Sequence, residues 1–180
     1  GLTGTTNEDE SIVIVLSGSD LDGDNLTYAL SQDATNGSVN ITGTFATYIP
    51  AADFSGDDSF TFSVSDGDLT DTAEVTLSVT AVNDAPVFVD IENMSFQEEG
   101  SGSLTLEATD IDSESLEYSV TGGSSISFEQ EGDTFMFSAL TADYNGSENF
   151  TATVTDGDLS DSQSFIVTVL PVNDAPVLVS

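Results

Sequence analysis

The sequence predicts an all-β protein that consists of two tandem β-sandwiches. Two observations predict this fold class. Apolar and polar residues alternate along most of the 180-residue chain, as they do in half-buried strands, and no helical period appears. In addition, the pentapeptide Val-Asn-Asp-Ala-Pro at 82–86 returns at 172–176, 90 positions later, and a fixed period is the signature of a repeat array.

Each repeat contains enough short strands for one Greek-key sandwich. In the segment 59–65, Phe60, Phe62 and Val64 alternate with small polar residues. Comparable runs occur at 11–16, 25–31, 37–41, 44–49 and 71–82, and in the second repeat at 87–91, 102–108, 115–120, 125–129, 134–138, 149–155 and 162–170. With a first strand that is truncated in the first repeat, these runs predict seven strands per repeat and an immunoglobulin-like sandwich.

The repeat also predicts the domain boundaries and the cores. We expect a first repeat over 1–84, with its first strand truncated, a second repeat over 85–174, and at 175–180 the start of a linker to a further repeat of a longer protein. The halves align without a gap, so apolar residues at equivalent positions should fill both cores. These pairs are Leu16 and Leu106, Leu26 and Leu116, Tyr28 and Tyr118, Phe45 and Phe135, Phe54 and Tyr144, Phe60 and Phe150, Val64 and Val154, and Val79 and Val169.

The composition excludes several classes of function. The chain has 33 acidic residues and no Lys, Arg, His or Cys, so its formal charge of −33 repels nucleic acids and anionic membrane surfaces. Without these residues there is no imidazole base, no thiol nucleophile and no disulfide. Paired carboxylates remain, but nothing in the sequence indicates a cleft that would raise the pKa of one of them. We therefore predict that the protein is not an enzyme, and no apolar run is long enough to insert into a membrane.

The acidic residues recur with the repeat and fall at predicted turns and strand ends. The equivalent pairs are Glu8 and Glu98, Asp20 and Asp110, Asp22 and Asp112, Asp53 and Asp143, Asp66 and Asp156, Asn83 and Asn173, and Asp84 and Asp174. In an extended Asp-x-Asp segment both carboxylates point to the same side, about 7 Å apart, which suits a hard cation with several oxygen ligands. Each motif also has a simpler interpretation, because Asp-Gly is a good tight turn and Asp-Ala-Pro a stiff connector.

One calcium motif can be excluded from the residues themselves. The segment that begins at Asp20 starts like an EF-hand loop, but Asn25 stands where that loop needs Gly and Ser31 where it needs Glu. No helical pattern flanks it. The EF-hand interpretation therefore fails.

Taken together, the motifs resemble those of cadherin repeats over essentially the whole chain. The family's Asp-x-Asp motif, which is followed by Asn and then Tyr, is similar to Asp20-Leu21-Asp22 with Asn25 and Tyr28. Its Asp-Gly turn is similar to the one at 66–67. Its linker before Pro is similar to the segment 80–86. The resemblance is closest to the cadherin-like tandem repeats of large bacterial surface adhesins. It implies a cadherin/immunoglobulin-like fold, an extracellular or cell-surface location, and Ca²⁺ bound between neighbouring repeats.

The resemblance also implies a set of calcium ligands at the junction of the two repeats. Carried over by position, these are Glu8, Asp53, Asn83, Asp84, Asp110, Asp112 and Asp156, with Asp9 and Asp58 as helpers. Half-sites at the two ends would hold Asp20, Asp22, Asp66, Glu98, Asp143, Asn173 and Asp174. Thr80 and Ala81 precede the linker where animal cadherins carry an acid, so we expect one or two ions at the junction.

Two functions compete at this point. In the first, calcium stiffens the junction and the repeats extend an adhesin or mediate cell adhesion, with self-association as a further outcome. In the second, the protein is a calcium-dependent carbohydrate-binding module for a polysaccharide. Sugar binding usually needs exposed aromatic rings, yet Trp is absent and only Tyr48, opposite Ser138, has no assigned place. The shortage of aromatic residues favours the first function.

Overall fold

The computed structural model describes residues 1–176 and 178, and these residues form strands and loops without a helix. They divide into two compact units, Gly1–Val82 and Asn83–Ser180. No helix of the length and apolar character needed to cross a bilayer occurs in this part of the chain. The all-β fold class is confirmed.

The first unit is a sandwich of a four-stranded and a three-stranded sheet. The four-stranded sheet has the order β1-β7-β6-β3 and the three-stranded sheet the order β2-β5-β4. All pairs are antiparallel except β1 and β7, which are parallel. The strands are β1 (Leu2–Asn7), β2 (Ile12–Val15), β3 (Thr27–Gln32), β4 (Gly37–Thr42), β5 (Phe45–Pro50), β6 (Gly56–Ser65) and β7 (Thr70–Thr80).

The second unit repeats this arrangement. The strands are β8 (Val87–Phe88), β9 (Met94–Gln97), β10 (Ser101–Thr105), β11 (Ala108–Thr109), β12 (Glu117–Gly122), β13 (Ile126–Glu131), β14 (Thr134–Ala139), β15 (Gly146–Thr155) and β16 (Ser160–Leu170). Its sheets have the orders β12-β15-β16-β9 and β10-β14-β13, and β8 pairs with β11. The run predicted at 87–91 is a strand only at β8, whereas β9, the parallel partner of β16, was missed.

Aromatic side chains fill much of the second core. The ring of Phe137 lies edge-on to those of Phe150 and Phe165, with centroids 5.2 Å and 5.9 Å apart. Such edge-to-face pairs add to the free energy that burial alone provides. In the first unit Tyr48 occupies the corresponding inward position of β5 and is fully buried.

Two of the expected core pairs are not confirmed. Leu26 and Leu116 are only half-buried and lie outside both core clusters. The other pair is Phe45 and Phe135. Phe135 is fully buried, but Phe45 is 54% exposed. The inward residues of β5 are Ala46 and Tyr48, whereas those of β14 are Phe135 and Phe137. The side chains of a strand alternate between faces, so a one-residue difference in alignment moves a residue from the core to the surface.

The physical reason is a bulge that the ungapped alignment could not contain. The pairing of β3 with β6 shifts between Leu30 and Gln32, whereas β12 pairs with β15 without a shift. One extra residue therefore enters the first repeat before β4. The second repeat regains this residue in the connection between β14 and β15, which spans 140–145. The equivalent connection of the first repeat, between β5 and β6, spans only 51–55.

A half-buried carboxylate holds the loop before β4. Asp58, on β6, accepts hydrogen bonds from the peptide N–H groups of Thr35 and Asn36, and from the hydroxyl of Tyr48 at 3.1 Å. Burial acts to raise the pKa of Asp58, but these bonds and that from the N–H of Ser59 outweigh it and lower the pKa. Burial, the bond to Asp58 and its charge raise the pKa of Tyr48 to about 12.

Glu148, on β15, has the same role in the second unit. Its oxygens accept the peptide N–H groups of Ser124, Ser125 and Ile126, and the hydroxyl of Ser124 at 2.6 Å. Burial acts to raise the pKa of Glu148, but the bonds from these residues outweigh it and lower the pKa to about 2. A carboxylate thus fixes the start of β13, as Asp58 fixes the start of β4.

The difference in alignment predicts unequal effects of one substitution at two aligned positions. Phe135→Ala should lower the free energy of unfolding by about 3–5 kcal/mol, because it leaves a cavity in the core. Phe45→Ala should change it by less than about 0.5 kcal/mol, because the ring is largely in water. Urea unfolding followed by circular dichroism measures both, and equal losses would contradict the alignment described above.

The carboxylate of Glu148 predicts a dependence of stability on pH. Because folding lowers its pKa from 4.5 to about 2, its contribution is complete above pH 4.5 and is lost as the pH falls towards 2. Glu148→Gln should therefore cost about 1–3 kcal/mol at neutral pH, and the difference from wild type should shrink in acid. Glu129→Gln, at an exposed position, is the control. A constant difference across that pH range would contradict this assignment.

Candidate metal centre

Each repeat carries acidic groups at both ends of its longest sheet. Asp53 precedes and Asp66 follows the ten-residue strand β6, and Asp143 and Asp156 flank β15 in the same way. A strand of that length spans about 33 Å. The predicted site residues of one repeat therefore form two separate groups, one at each end.

A buried glutamate lies at the end where each repeat leads into its linker. Glu8 is 5% exposed, its N–H donates to the carbonyl oxygen of Thr80, and its Oε1 accepts the N–H of Val82 at 2.5 Å. Glu98 is 6% exposed and has the equivalent bonds, to Leu170 and, at 2.6 Å, from Val172. Each glutamate thus fixes the first residues after the last strand of its repeat.

Glu98 leaves one oxygen without a partner. Its Oε2 is buried and accepts no hydrogen bond from the described part of the chain. A buried charged oxygen without a partner destabilises a fold, and such groups normally pair or bind a metal. This oxygen is therefore not satisfied by the described residues.

The same end of each repeat carries acids in a left-handed backbone conformation. Among the described residues, the non-glycine residues with positive φ are Asp9 at 59°, Asp53 at 55°, Glu99 at 63° and Asp143 at 61°. They form two equivalent pairs, and all four are acidic. Non-glycine residues rarely adopt this conformation, and the strain clusters at functional sites.

In the first unit this backbone brings two carboxylates together. The N–H of Asp53 donates to Oδ1 of Asp9 at 3.3 Å, and a carboxylate oxygen of each lies within 4.8 Å of one from the other. Both side chains are exposed. Sequence reasoning gave Asp9 only a helper role, because nothing in the spacing indicated that it would reach Asp53.

In the second unit, the linker residues Asn83 and Asp84 form hydrogen bonds with two acids, Asp156 and Asp112. The amide nitrogen Nδ2 of Asn83 donates to Oδ2 of Asp156 at 2.7 Å and to the carbonyl oxygen of Asp84 at 3.1 Å. The N–H of Asp84 donates to Oδ2 of Asp112 at 2.8 Å. The linker is thus tied to two of the predicted ligands.

Asp110 completes this group. Its Oδ1 accepts the N–H groups of Asp112 and Ser113, both at 2.8 Å, which orders the Asp-x-Asp segment. Its Oδ2 is buried and, within the described residues, accepts no hydrogen bond. The second unit therefore gathers Asn83, Asp84, Asp110, Asp112 and Asp156, and leaves a carboxylate oxygen of Asp110 for another ligand.

Among the described residues, the equivalent acids of the first unit hold their own turns and accept no bond from a linker. Oδ1 of Asp20 accepts the N–H groups of Asp22, Gly23 and Asp24, at 2.8, 2.9 and 3.2 Å. Oδ1 of Asp66 accepts those of Asp68 and Leu69.

Asp156 closes a turn and also binds the linker. Its Oδ1 closes the same turn, with Asp158 and Leu159, while its Oδ2 accepts the bond from Asn83. The bond from Asn83, followed by those from Leu159 and Asp158, lowers its pKa. For Asp66 the bonds from Leu69 and Asp68 outweigh desolvation and lower the pKa.

The remaining predicted residues lie beyond the last strand or belong to other contacts. Nδ2 of Asn173 donates to the carbonyl oxygen of Asp174 at 3.2 Å, so the second linker begins like the first. Of the predicted linker start at 175–180, residues 177, 179 and 180 lie outside the described residues. Asp58, expected as a helper, has its oxygens engaged by the loop before β4, and Tyr48 is buried and offers no sugar platform.

Comparison with known proteins assigns the chain to a family. Residues 2–78 and 83–168 both match the family described as bacterial Ig domain. The chain belongs to this family. Its two bacterial Ig domains coincide with the two sandwiches described above. No curated protein sequence matches the chain significantly.

Solved structures confirm the predicted resemblance to cadherin-like tandem repeats. Drosophila N-cadherin EC1-4 is 22% identical, with a TM-score of 0.58 and coverage of 96% of this chain and 48% of that chain. Human protocadherin-24 EC1-2 is 20% identical, with a TM-score of 0.57 and coverage of 97% and 96%. An endo-fucoidan hydrolase from glycoside hydrolase family 107 is 22% identical, with a TM-score of 0.41, and the chain spans 28% of its length. At these identities the likeness establishes the fold alone.

The bond between Asn83 and Asp156 predicts a measurable pKa change. Asn83→Ala removes the first of the bonds that lower the pKa of Asp156, so this pKa should rise towards its ordinary value of 3.8. Carbonyl-detected NMR titration of the side-chain carboxyls measures it. Asn173→Ala, at the equivalent position of the next linker, is the control and should leave Asp156 unchanged. An unchanged titration in Asn83→Ala would show that the bond does not form in solution.

Proposed function

We propose that this chain is a calcium-binding pair of bacterial Ig domains from a larger extracellular protein, in which Ca²⁺ stiffens the junction of the repeats so that they extend an adhesin or support cell adhesion. The observation that carries the proposal is the buried, unpartnered carboxylate oxygen of Asp110, and Glu98, the equivalent of Glu8, has a second such oxygen at the next linker. Each is a negative ligand atom that the described protein groups do not satisfy.

The chemistry of the donors selects the cation. The candidate ligands are carboxylate and amide oxygens, and the chain has neither Cys nor His to bind a softer metal. Ca²⁺ accepts six to eight such oxygens in flexible geometry, whereas Mg²⁺ requires a tight octahedron and retains its water. The residues therefore fit calcium, and Mg²⁺ should substitute poorly.

The connectivity of the chain supports one site built from two groups of acids, that around Glu8 in the first repeat and that around Asp156 in the second. Glu8 binds the peptide N–H of Val82, and the next residue, Asn83, binds Asp156. The two acidic groups are therefore tethered to two consecutive residues. The proposed ligands are Glu8, Asp53, Asn83, Asp84, Asp110, Asp112 and Asp156, with Asp9 joined to Asp53.

Electrostatic repulsion gives calcium its mechanical effect. Two carboxylates about 4 Å apart repel by roughly 4 kcal/mol at an effective dielectric constant near 20, and the chain has no cationic side chain to offset this. A divalent ion converts the repulsion into attraction. We expect a stiff pair of repeats with calcium and a hinged pair without it.

The remaining acids extend the proposal to an array. Glu98, Asp143, Asn173 and Asp174 occupy the positions of the first half of such a site, and Asp20, Asp22 and Asp66 those of the second half. In a longer protein, neighbouring repeats would complete both. The carbohydrate-binding alternative cannot use Tyr48, the tyrosine without an assigned place, as an exposed ring, because Tyr48 is buried.

Two identical substitutions test the proposal. Small-angle scattering should show that Ca²⁺ increases the maximum dimension of the wild type and that a chelator reverses the change. Glu8→Gln keeps the acceptor for Val82 but removes the charge, and should require roughly tenfold more Ca²⁺ for the same change. Glu98→Gln should respond like wild type, because Glu98 belongs to the next junction. A maximum dimension that ignores calcium, or equal effects of both variants, would refute the proposal.

A further inference from the structure

The outer face of the three-stranded sheet in the first repeat is uncharged, and half of its side chains are apolar. This β2–β5–β4 face consists of the side chains that alternate with buried residues, namely Val13, Val15, Ser38, Asn40, Thr42, Phe45, Thr47 and Ile49. Val13, Val15, Phe45 and Ile49 are 56%, 58%, 54% and 52% exposed. Val15 pairs with Phe45 and Val13 with Thr47, so these side chains form one continuous surface.

The second repeat shows that the fold does not require such a face. With the alignment corrected for the bulge, Ser103, Thr105, Thr134 and Ser138 stand where Val13, Val15, Phe45 and Ile49 stand in the first repeat. Thr47 corresponds to Met136. Asn40 and Thr42 correspond to Glu129 and Glu131, both exposed. The same surface is therefore mostly polar and partly acidic in the second repeat, whereas in the first it is neutral and carries four exposed apolar side chains.

The absence of charge identifies the kind of partner. The chain carries 33 acids and no Lys, Arg or His. A cationic partner would be attracted more strongly to the acidic surface elsewhere on the chain than to this neutral face. A face without acids favours a partner that is itself anionic, because no carboxylate of this face then repels the carboxylates of the partner. A second copy of this chain is such a partner, and its own β2–β5–β4 face is neutral too. We propose that the β2–β5–β4 faces of two copies pack against each other, flank to flank.

The size of the face sets the strength of this contact. Three strands of about five residues cover roughly 240 Å², against about 800 Å² per partner in a stable complex. One pair of faces should therefore associate weakly and exchange rapidly. The contact becomes effective when many copies are displayed side by side, because linked sites raise the effective concentration. It involves none of the proposed calcium ligands, so a chelator should not abolish it.

The experiment places charges at the centre of the face. Sedimentation equilibrium up to about 1 mM should show weak self-association of the wild type that strengthens as salt screens the repulsion between the acidic chains. Thr47→Asp should weaken it at least tenfold, because it opposes two carboxylates. Met136→Asp, at the equivalent position of the second repeat, is the matched control and should have no effect. Circular dichroism confirms that each variant is folded.

A mixing experiment identifies the partner as a second copy. An equimolar mixture of Thr47→Asp and Thr47→Lys chains should associate more tightly than either variant alone, since the introduced charges then attract. A wild type that stays monomeric at high concentration and high salt would overturn the proposal. So would equal effects of Thr47→Asp and Met136→Asp, or a mixture that behaves like its components.

Discussion

The hydrogen bond from a peptide N–H to a carboxylate is the interaction on which this structure depends. Because the chain has no Lys, Arg or His, no side chain can neutralise an acid. A carboxylate that is removed from water costs free energy unless it accepts hydrogen bonds, so the backbone supplies most of the donors. Asp58 and Glu148 take three peptide N–H groups each, and the loops before β4 and β13 are ordered as a result. At Oε2 of Glu98, the described residues provide no such donor.

The fold was predictable where its signal is local. Alternation of apolar residues along β6 and the fixed period of the turns are read from neighbouring residues, and both hold. The parallel strands β1 and β9 were not recognised, since their pairing with β7 and β16 joins residues about 73 positions apart and their own alternation is weak. The exposure of Phe45 depends on a bulge in β3 that no single residue announces. Register is a property of pairs of strands, which explains why the composition of one strand does not reveal it.

The candidate site was predictable in its residues but not in its bonds. The spacing of the acids placed them at the ends of strands, because turns occur there. It could not show that Oδ1 of Asp156 closes a turn while Oδ2 accepts the amide of Asn83. Asp66 has the same local motif and no such amide, although the two sequences are nearly identical. The difference arises from the residues before the repeat, and the left-handed conformations of Asp9 and Asp53 are likewise visible only in three dimensions.

The internal comparison separates what the two repeats share from what they do not. The acids at the ends of the strands occur in both repeats, with the same turns and the same positive φ angles. The outer face of the three-stranded sheet differs at almost every exposed position, although the backbone beneath it is the same. A feature that both repeats share suits a function that every repeat in an array performs, such as joining its neighbour. A feature that only one of the two repeats has suits a function that an array needs in some of its repeats and not in all. The ends and the flank of a repeat are different surfaces, so the two proposed functions do not compete for the same residues.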